Sequence, residues 1–248
     1  MINIKSPREV ELISKSCRIV AESLQYIERF VEQGITLKEL ERLLAEFIVK
    51  KDAIPAFKGY RGYPAAVCIS LNDEVVHGIP DERVLKEGDI VSIDIGVKKD
   101  GYFGDGAKTY GVGKISAEAE RLMKVTESAL YKGINKACDG NRLYDISSTI
   151  QQSVESAGFS VVRELTGHGI GQKLHEEPII PNFGMPGVGP RLKSGMVLAI
   201  EPMVNAGKYD VVTLSNGWTV KTKDGSISAH FEHTLVVGKD GAEILTVC

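Results

Sequence analysis

The chain has 248 residues, 43% hydrophobic and 25% charged, a soluble globular balance with material for one large domain or two small ones. A formal net charge of -3, with no dense run of Lys and Arg, argues against a nucleic-acid-binding face. No apolar run approaches membrane-spanning length, the N-terminus lacks signal-peptide order, and Cys17, Cys68, Cys138 and Cys248 form no CxxC pair; membrane insertion, secretion, a zinc ribbon and a disulfide framework are therefore disfavoured, and a cytoplasmic protein with reduced, mostly buried thiols is expected.

Ser6-Pro7-Arg8-Glu9 predicts a helix start, with a Ser N-cap, Pro at the first helical position and Glu three residues after the cap. Apolar residues at Val10, Ile13, Cys17, Val20, Leu24, Ile27 and Val31 carry it at helical spacing to a stop at Gly34. Thr36 caps a second helix, Leu37 to about Lys51. Ala56 to Tyr63 is a Gly- and Tyr-rich loop, followed by the strand-like AAVCISL.

Gly88 to Gly106 reads as a hairpin. Ile90, Ser92 and Asp94 alternate with Val91, Ile93 and Ile95, and Asp100-Gly101 makes the turn. Asp94 falls near the end of one strand and Asp105 just past the start of the next. An aspartate within an apolar strand needs a salt-bridge partner or a metal. Helices follow at Ser116 to about Lys136 and Arg142 to Ala157, then VVRELTGHGIG, the proline-rich loop HEEPIIPNFGMPGVGP, a strand MVLAIEPMV, and a last strand near AHFEHTLVVG.

The chain also repeats itself. Leu85 to Val97 lies over Leu192 to Val204 at a shift of 107 with five of thirteen columns identical, placing Asp94 on Glu201, and Gly34 to Leu40 lies over Gly140 to Ile146 at a shift of 106. A single domain of pseudo-repeats, about 6–113 and 116–238, is expected, with one acid from each half facing the other. Glu232, beside the strand TLVV, is the counterpart of Asp105.

Four converging carboxylates cannot all stay ionised without cations, and two divalent ions balance their charge. His168, between Gly167 and Gly169, supplies a neutral ligand. Two Asp, two Glu and one His suit Mn, Fe, Co or Zn in a non-structural site. Each residue also has a plain reading: Asp105 and Glu232 as strand-edge charges, His168 as a core histidine, Glu201-Pro202 as a strand end. The internal symmetry favours the dinuclear site.

The ordered motifs VVHGIP, SIDIG, GDGA, TGHGIG, HEEP, AIEPM and FEHT resemble those of bacterial type I methionine aminopeptidases over essentially the whole chain. The resemblance implies an α/β pita-bread fold, removal of N-terminal methionine from nascent proteins, and Asp94, Asp105, His168, Glu201 and Glu232 as metal ligands. It further implies the short form without an extension, a monomer, and transient association with the ribosome at most. Glu201 is expected to act as ligand and proton shuttle. His77 and His175 are expected to hydrogen-bond the substrate. By the same resemblance Tyr60, Tyr63, Cys68, His77 and Trp218 wall a methionine pocket with His175. Phe57 and Leu174 stand at its rim, where related enzymes often carry Cys and Phe. Asn72, Glu74 and Ser228 are expected at a Na or K site, and His230 and His233 as structural residues. The competing readings are a proline-specific aminopeptidase and a non-catalytic peptide-binding protein of the same fold.

Overall fold

The computed structural model describes residues 2–248. The first half runs α1 (Pro7–Glu28), α2 (Leu37–Lys50), β1 (Ile54–Pro55), β2 (Cys68–Leu71), β3 (Glu74–Val76), β4 (Ile90–Lys99) and β5 (Tyr102–Gly111). The second runs α3 (Ala117–Ile134), α4 (Leu143–Glu155), β6 (Ser160–Val161), β7 (Thr166–Gly169), β8 (Glu176–Pro181), β9 (Val197–Ile200), β10 (Met203–Asn205), β11 (Val211–Thr213), β12 (Val220–Thr222), β13 (Ser228–His230), β14 (His233–Val237) and β15 (Ala242–Ile244). All sheet pairings are antiparallel. Among the described residues no helix is long and apolar enough to cross a membrane.

The helix starts follow their caps. Ser6 Oγ accepts from the Glu9 N–H at 3.3 Å while the Glu9 carboxylate accepts from the Ser6 N–H at 2.9 Å, and the Thr36 and Ser116 hydroxyls accept from the Glu39 and Ala119 N–H groups to cap α2 and α3. The end of α1 differs from expectation: it stops at Glu28, because Phe30 and Val31 donate to Ile27 and Glu28, three residues back, and the last turn tightens out of the helix.

The turn Asp100-Gly101 has φ of 51° and 85°, the left-handed pair that a two-residue hairpin requires. Hairpin β4–β5 lies against α1, with Val91, Ile93, Ile95 and Val97 fully buried in one apolar cluster with Ile27, Leu37, Leu40, Leu44 and Ile48. Each such side chain contributes roughly 2 kcal/mol through burial. A second cluster gathers α3, α4 and the strands that follow them. Asp94 and Asp105 both sit well inside their ten-residue strands, not at the ends.

Two expected elements divide. MVLAIEPMV forms β9 and β10, in different sheets, separated at Glu201-Pro202; the last strand forms β13 and β14, separated at Phe231-Glu232. Pro202 cannot donate to a ladder, which gives the first break its local cause. The expected HEEP loop is in part strand β8, paired with β7. All four cysteines are free, though only Cys17 and Cys68 are buried.

Candidate metal centre and its cavity

The pairing register brings the expected ligands onto one face. Asp94 pairs with Ala107 across β4–β5, and Asp105, two residues from Ala107, shares that face. Ala107 exchanges backbone hydrogen bonds with Glu232 at 2.9 and 3.4 Å. On either side, hydroxyls replace backbone in the same ladder: Thr234 Oγ donates to the Asp105 carbonyl at 2.7 Å, and Thr109 Oγ accepts from the His230 N–H at 2.9 Å. This seam joins the two halves. Beyond it, β9–β14 and β10–β13 keep a common register (His233 with Ile200, Met203 with His230) that sets Glu232 opposite Glu201. His168 pairs with Ala199, two residues from Glu201, and so shares the face as well.

The side chains meet. His168 Nε2 is 3.5 Å from a Glu201 oxygen and 3.8 Å from an Asp105 oxygen, and donor atoms of Asp105, His168 and Glu232 all lie within 4.8 Å of one another. His168 Nδ1 lies 2.9 Å from the Gly169 carbonyl, which can only accept; Nδ1 therefore carries the proton and Nε2 offers its lone pair to the cluster. Burial pushes Asp94 up to about 7 and drives Asp105, Glu201 and Glu232 well above the usual carboxylate range, with repulsion from neighbouring acids adding to Asp105, Glu201 and Glu232. Burial lowers His168 to about 4 and His230 to about 3.

This donor set fits divalent metal. Asp94 Oδ1 and Glu232 Oε1 are buried without a hydrogen-bond partner, and an unpaired buried carboxylate costs several kcal/mol unless a cation or proton meets it. Four oxygen-donating acids and one imidazole match a hard to borderline divalent ion.

The cluster floors a cavity of about 130 Å³. Tyr60, Tyr63, Cys68, His77, Leu174, His175, Phe57 and Trp218 all line it. Phe57 and Leu174 are buried in its wall instead of standing at its rim. Tyr63 and Trp218 meet edge to face at 5.1 Å, and the Tyr63 hydroxyl donates to the Gly78 carbonyl at 2.8 Å. His175 stacks on Tyr60, takes a 2.8 Å hydrogen bond between Nδ1 and the Tyr60 hydroxyl, and lies 4.2 Å from the His168 ring. Burial and the neighbouring ring of His168 lower its pKa to about 3. His77 has φ of 58°, strain of the kind that persists where surroundings over-determine a residue, and burial lowers its pKa too.

Arg61 also lines the cavity and was not singled out from the sequence; the flanking Gly59 and Gly62, with φ of 82° and 91°, are the signal that the loop is shaped to present it. The expected cation-site residues are already engaged. The Asn72 carbonyl accepts from the Ser228 N–H at 2.9 Å, and the Glu74 carboxylate accepts from Arg83 at 2.6 Å and from the Leu71 N–H at 2.9 Å. His230 approaches Glu201 at 3.7 Å, whereas His233 binds Tyr131 and Thr246.

A model of metallopeptidase family M24 matches residues 11–239. The chain belongs to this family. This M24 chain is 55% identical to the methionine aminopeptidase of Clostridium perfringens (100% of this chain, 99% of the relative) and 54% identical to methionine aminopeptidase 1 of Bacillus subtilis (99% of each). It overlays the crystal structure of methionine aminopeptidase from Thermotoga maritima with a TM-score of 0.99 at 48% identity, covering all of both chains. An X-Pro aminopeptidase from Thermotoga maritima, at a TM-score of 0.78 and 22% identity, has 62% of its length covered; that likeness is one of fold. The pita-bread fold of this M24 chain is thereby established, and its family uses divalent metal.

Proposed function

We infer that the chain is a methionine aminopeptidase, a metallo-exopeptidase that hydrolyses N-terminal methionine from peptides and nascent proteins. One observation carries this reading: a buried, oxygen-rich donor set floors an aromatic-walled cavity in a chain that aligns end to end with methionine aminopeptidases. The proline-specific alternative is not favoured, and a non-catalytic role fits poorly with five donors all present and gathered.

Asp94, Asp105, His168, Glu201 and Glu232 would hold two divalent ions, drawn from Mn, Fe, Co or Zn. When bound, such ions neutralise the acids, lower the pKa of water and polarise the scissile carbonyl. Glu201, at the cavity floor, takes the proton from the attacking water and returns it to the leaving amine. His175 and His77, neutral at pH 7 because their pKa values are depressed, donate hydrogen bonds to the substrate carbonyl as charge develops on its oxygen. Tyr60, Tyr63, Cys68, Phe57, Leu174 and Trp218 enclose the methionine side chain, whose thioether favours aromatic edges. Remaining carbonyl lone pairs near Asn72, Glu74 and Ser228 are the donors a Na or K ion would take. One catalytic domain spanning both pseudo-repeats, a monomeric state, a cytoplasmic location and transient ribosome association complete the reading.

The test is metal-free protein titrated separately with Mn, Fe, Co and Zn and assayed on Met-Ala-Ser, Pro-Ala and Leu-Ala peptides. Methionine release with at least one metal, and little cleavage of the other peptides, is expected; no cleavage of Met-Ala-Ser under any metal overturns the assignment.

A further inference from the structure

His175 leans into the cavity from the first residues of the 175–181 segment, yet it is exposed on one side and its own ring has one hydrogen-bond partner, the Tyr60 hydroxyl. What fixes its backbone lies next to it in the chain. His175 closes the bend 171–175 and Glu176 opens β8 directly after it, so the anchoring of Glu176 limits where the His175 backbone can sit. Glu176 is held by the N-terminal arm. Lys5 Nζ donates to Glu176 Oε2 at 2.5 Å, with the two side chains only 6% and 8% exposed, and Asn3 Nδ2 approaches the same oxygen at 3.4 Å. The Lys173 N–H donates to the other oxygen at 3.1 Å. Burial raises the Glu176 pKa, but the Lys5 and Lys173 hydrogen bonds outweigh it and hold the carboxylate below its ordinary range.

The surroundings are shaped around this pair. A side chain at Gly171 would come within 2.6 Å of Lys5 Nζ and 2.7 Å of Glu176 Oε1, so the last glycine of TGHGIG leaves space for the ion pair. Lys5 is itself fixed, its backbone N–H donating to the Gly195 carbonyl at 2.8 Å. Gly171 in turn accepts from the Phe103 N–H at 2.8 Å, tying the same turn to hairpin β4–β5. Nothing in this network touches the cavity directly.

We propose that Lys5 is a positioning residue, whose buried ion pair with Glu176 sets the orientation of His175 toward the substrate. The proposal rests on the assignment of His175 as a substrate-binding donor. A misplacement of about 1 Å at a reacting group lowers rate by up to about a hundredfold, and a loosened His175 falls within that scale.

The experiment is a double-mutant cycle with Lys5→Met, His175→Ala and their combination, assayed as metal-loaded protein on Met-Ala-Ser, with thermal midpoints measured alongside. Lys5→Met is expected to lower kcat by about tenfold or more with a small change in KM, and Lys5→Arg to restore most of it. In the His175→Ala background, Lys5→Met should change kcat by less than about twofold, because coupled sites are not additive. The Hε1 proton resonance of His175, identified by its loss in His175→Ala, should shift or broaden in Lys5→Met. Equal losses in both backgrounds, or an unmoved His175 resonance in folded Lys5→Met, overturn the proposal. If Lys5→Met does not fold, Glu176→Gln is read in the same cycle, and failure of both to fold overturns it by assigning the pair to stability. Failure of the wild type to release methionine would instead refute the function, while the resonance still reports whether Lys5 orients His175.

Discussion

Glu201 carries two burdens that a single side chain rarely combines: burial drives its pKa well above the carboxylate range, and it stands within 3.5 Å of His168 and 3.7 Å of His230. A group that must both bind cation and relay a proton needs that compromise. Glu201→Gln keeps the shape but cannot take a proton, so kcat on Met-Ala-Ser should fall by about a thousandfold with the fold intact by circular dichroism; a loss below tenfold would assign the proton transfer elsewhere. At this scale the sequence was legible where alternation exposed an anomaly. Asp94 stood out because it interrupts an apolar strand, and Glu201 because the repeat placed it on Asp94. Lys5 gave no such sign, since the charge it meets, Glu176, is brought to it from 171 residues away. Phe57 reads as a rim residue by resemblance, but it packs against Gly96, where any side chain would collide with its ring, and this seats it in the wall.

The elements show how a hairpin becomes half of a site. Strand β5 is flanked on one edge by β4 and on the other by the broken strand around Glu232, through Thr109, Ala107 and Thr234. Thr109 Oγ also donates to the His230 carbonyl at 2.8 Å and meets Ser92 Oγ at 2.8 Å. Thr109→Val would strip these bonds from buried backbone and cost about 1–3 kcal/mol; a lowered denaturation midpoint in urea is expected, and no change would remove the hydroxyl from the seam. The sequence offers the break at Glu201-Pro202 only as a plain alternative, a strand end, because the matching strand of the first half runs on through Ile95 and the repeat argues for continuity there. The break places Glu201 where one sheet ends and another begins, with its carboxylate directed to the cavity.

For the whole molecule the buried charges set a pH dependence. A carboxyl whose folded pKa is raised favours the fold while protonated, and that contribution is lost as pH rises through the folded value. Asp94, at about 7 from 3.8, and Asp105, Glu201 and Glu232 act in this direction. The histidines act oppositely: His168, His175, His230 and His233, lowered to about 3 to 4 from 6.5, lose stability as pH falls below 6.5. The two sets offset each other between about pH 4 and 6.5, and above 6.5 the acids act alone. Metal-free protein should therefore lose stability from pH 6.5 to 8.5, by about 1.4 kcal/mol per pH unit for each carboxyl still protonated, and divalent metal at a hundredfold excess over Kd should return about 2.7 kcal/mol. Thermal midpoints at pH 6.5, 7.5 and 8.5, with and without metal, check this; a metal-free midpoint that does not fall over this range would show the acids already ionised in the fold.

By itself the sequence determined the helices, through caps and apolar spacing, the first hairpin, through alternation and an Asp-Gly turn, and the identity of the acids that had to converge, through the repeat and the cost of buried charge. These are local rules, read within a few residues or by laying one half on the other. Only the tertiary structure decided the seam at Ala107 and Glu232, the breaks that aim Glu201, the inward seat of Phe57 and the grip of Lys5 on the segment that carries His175. Those depend on register and packing between segments distant in the chain, by 171 residues for Lys5 and Glu176, where no local propensity speaks and the geometry exists only once those segments have met.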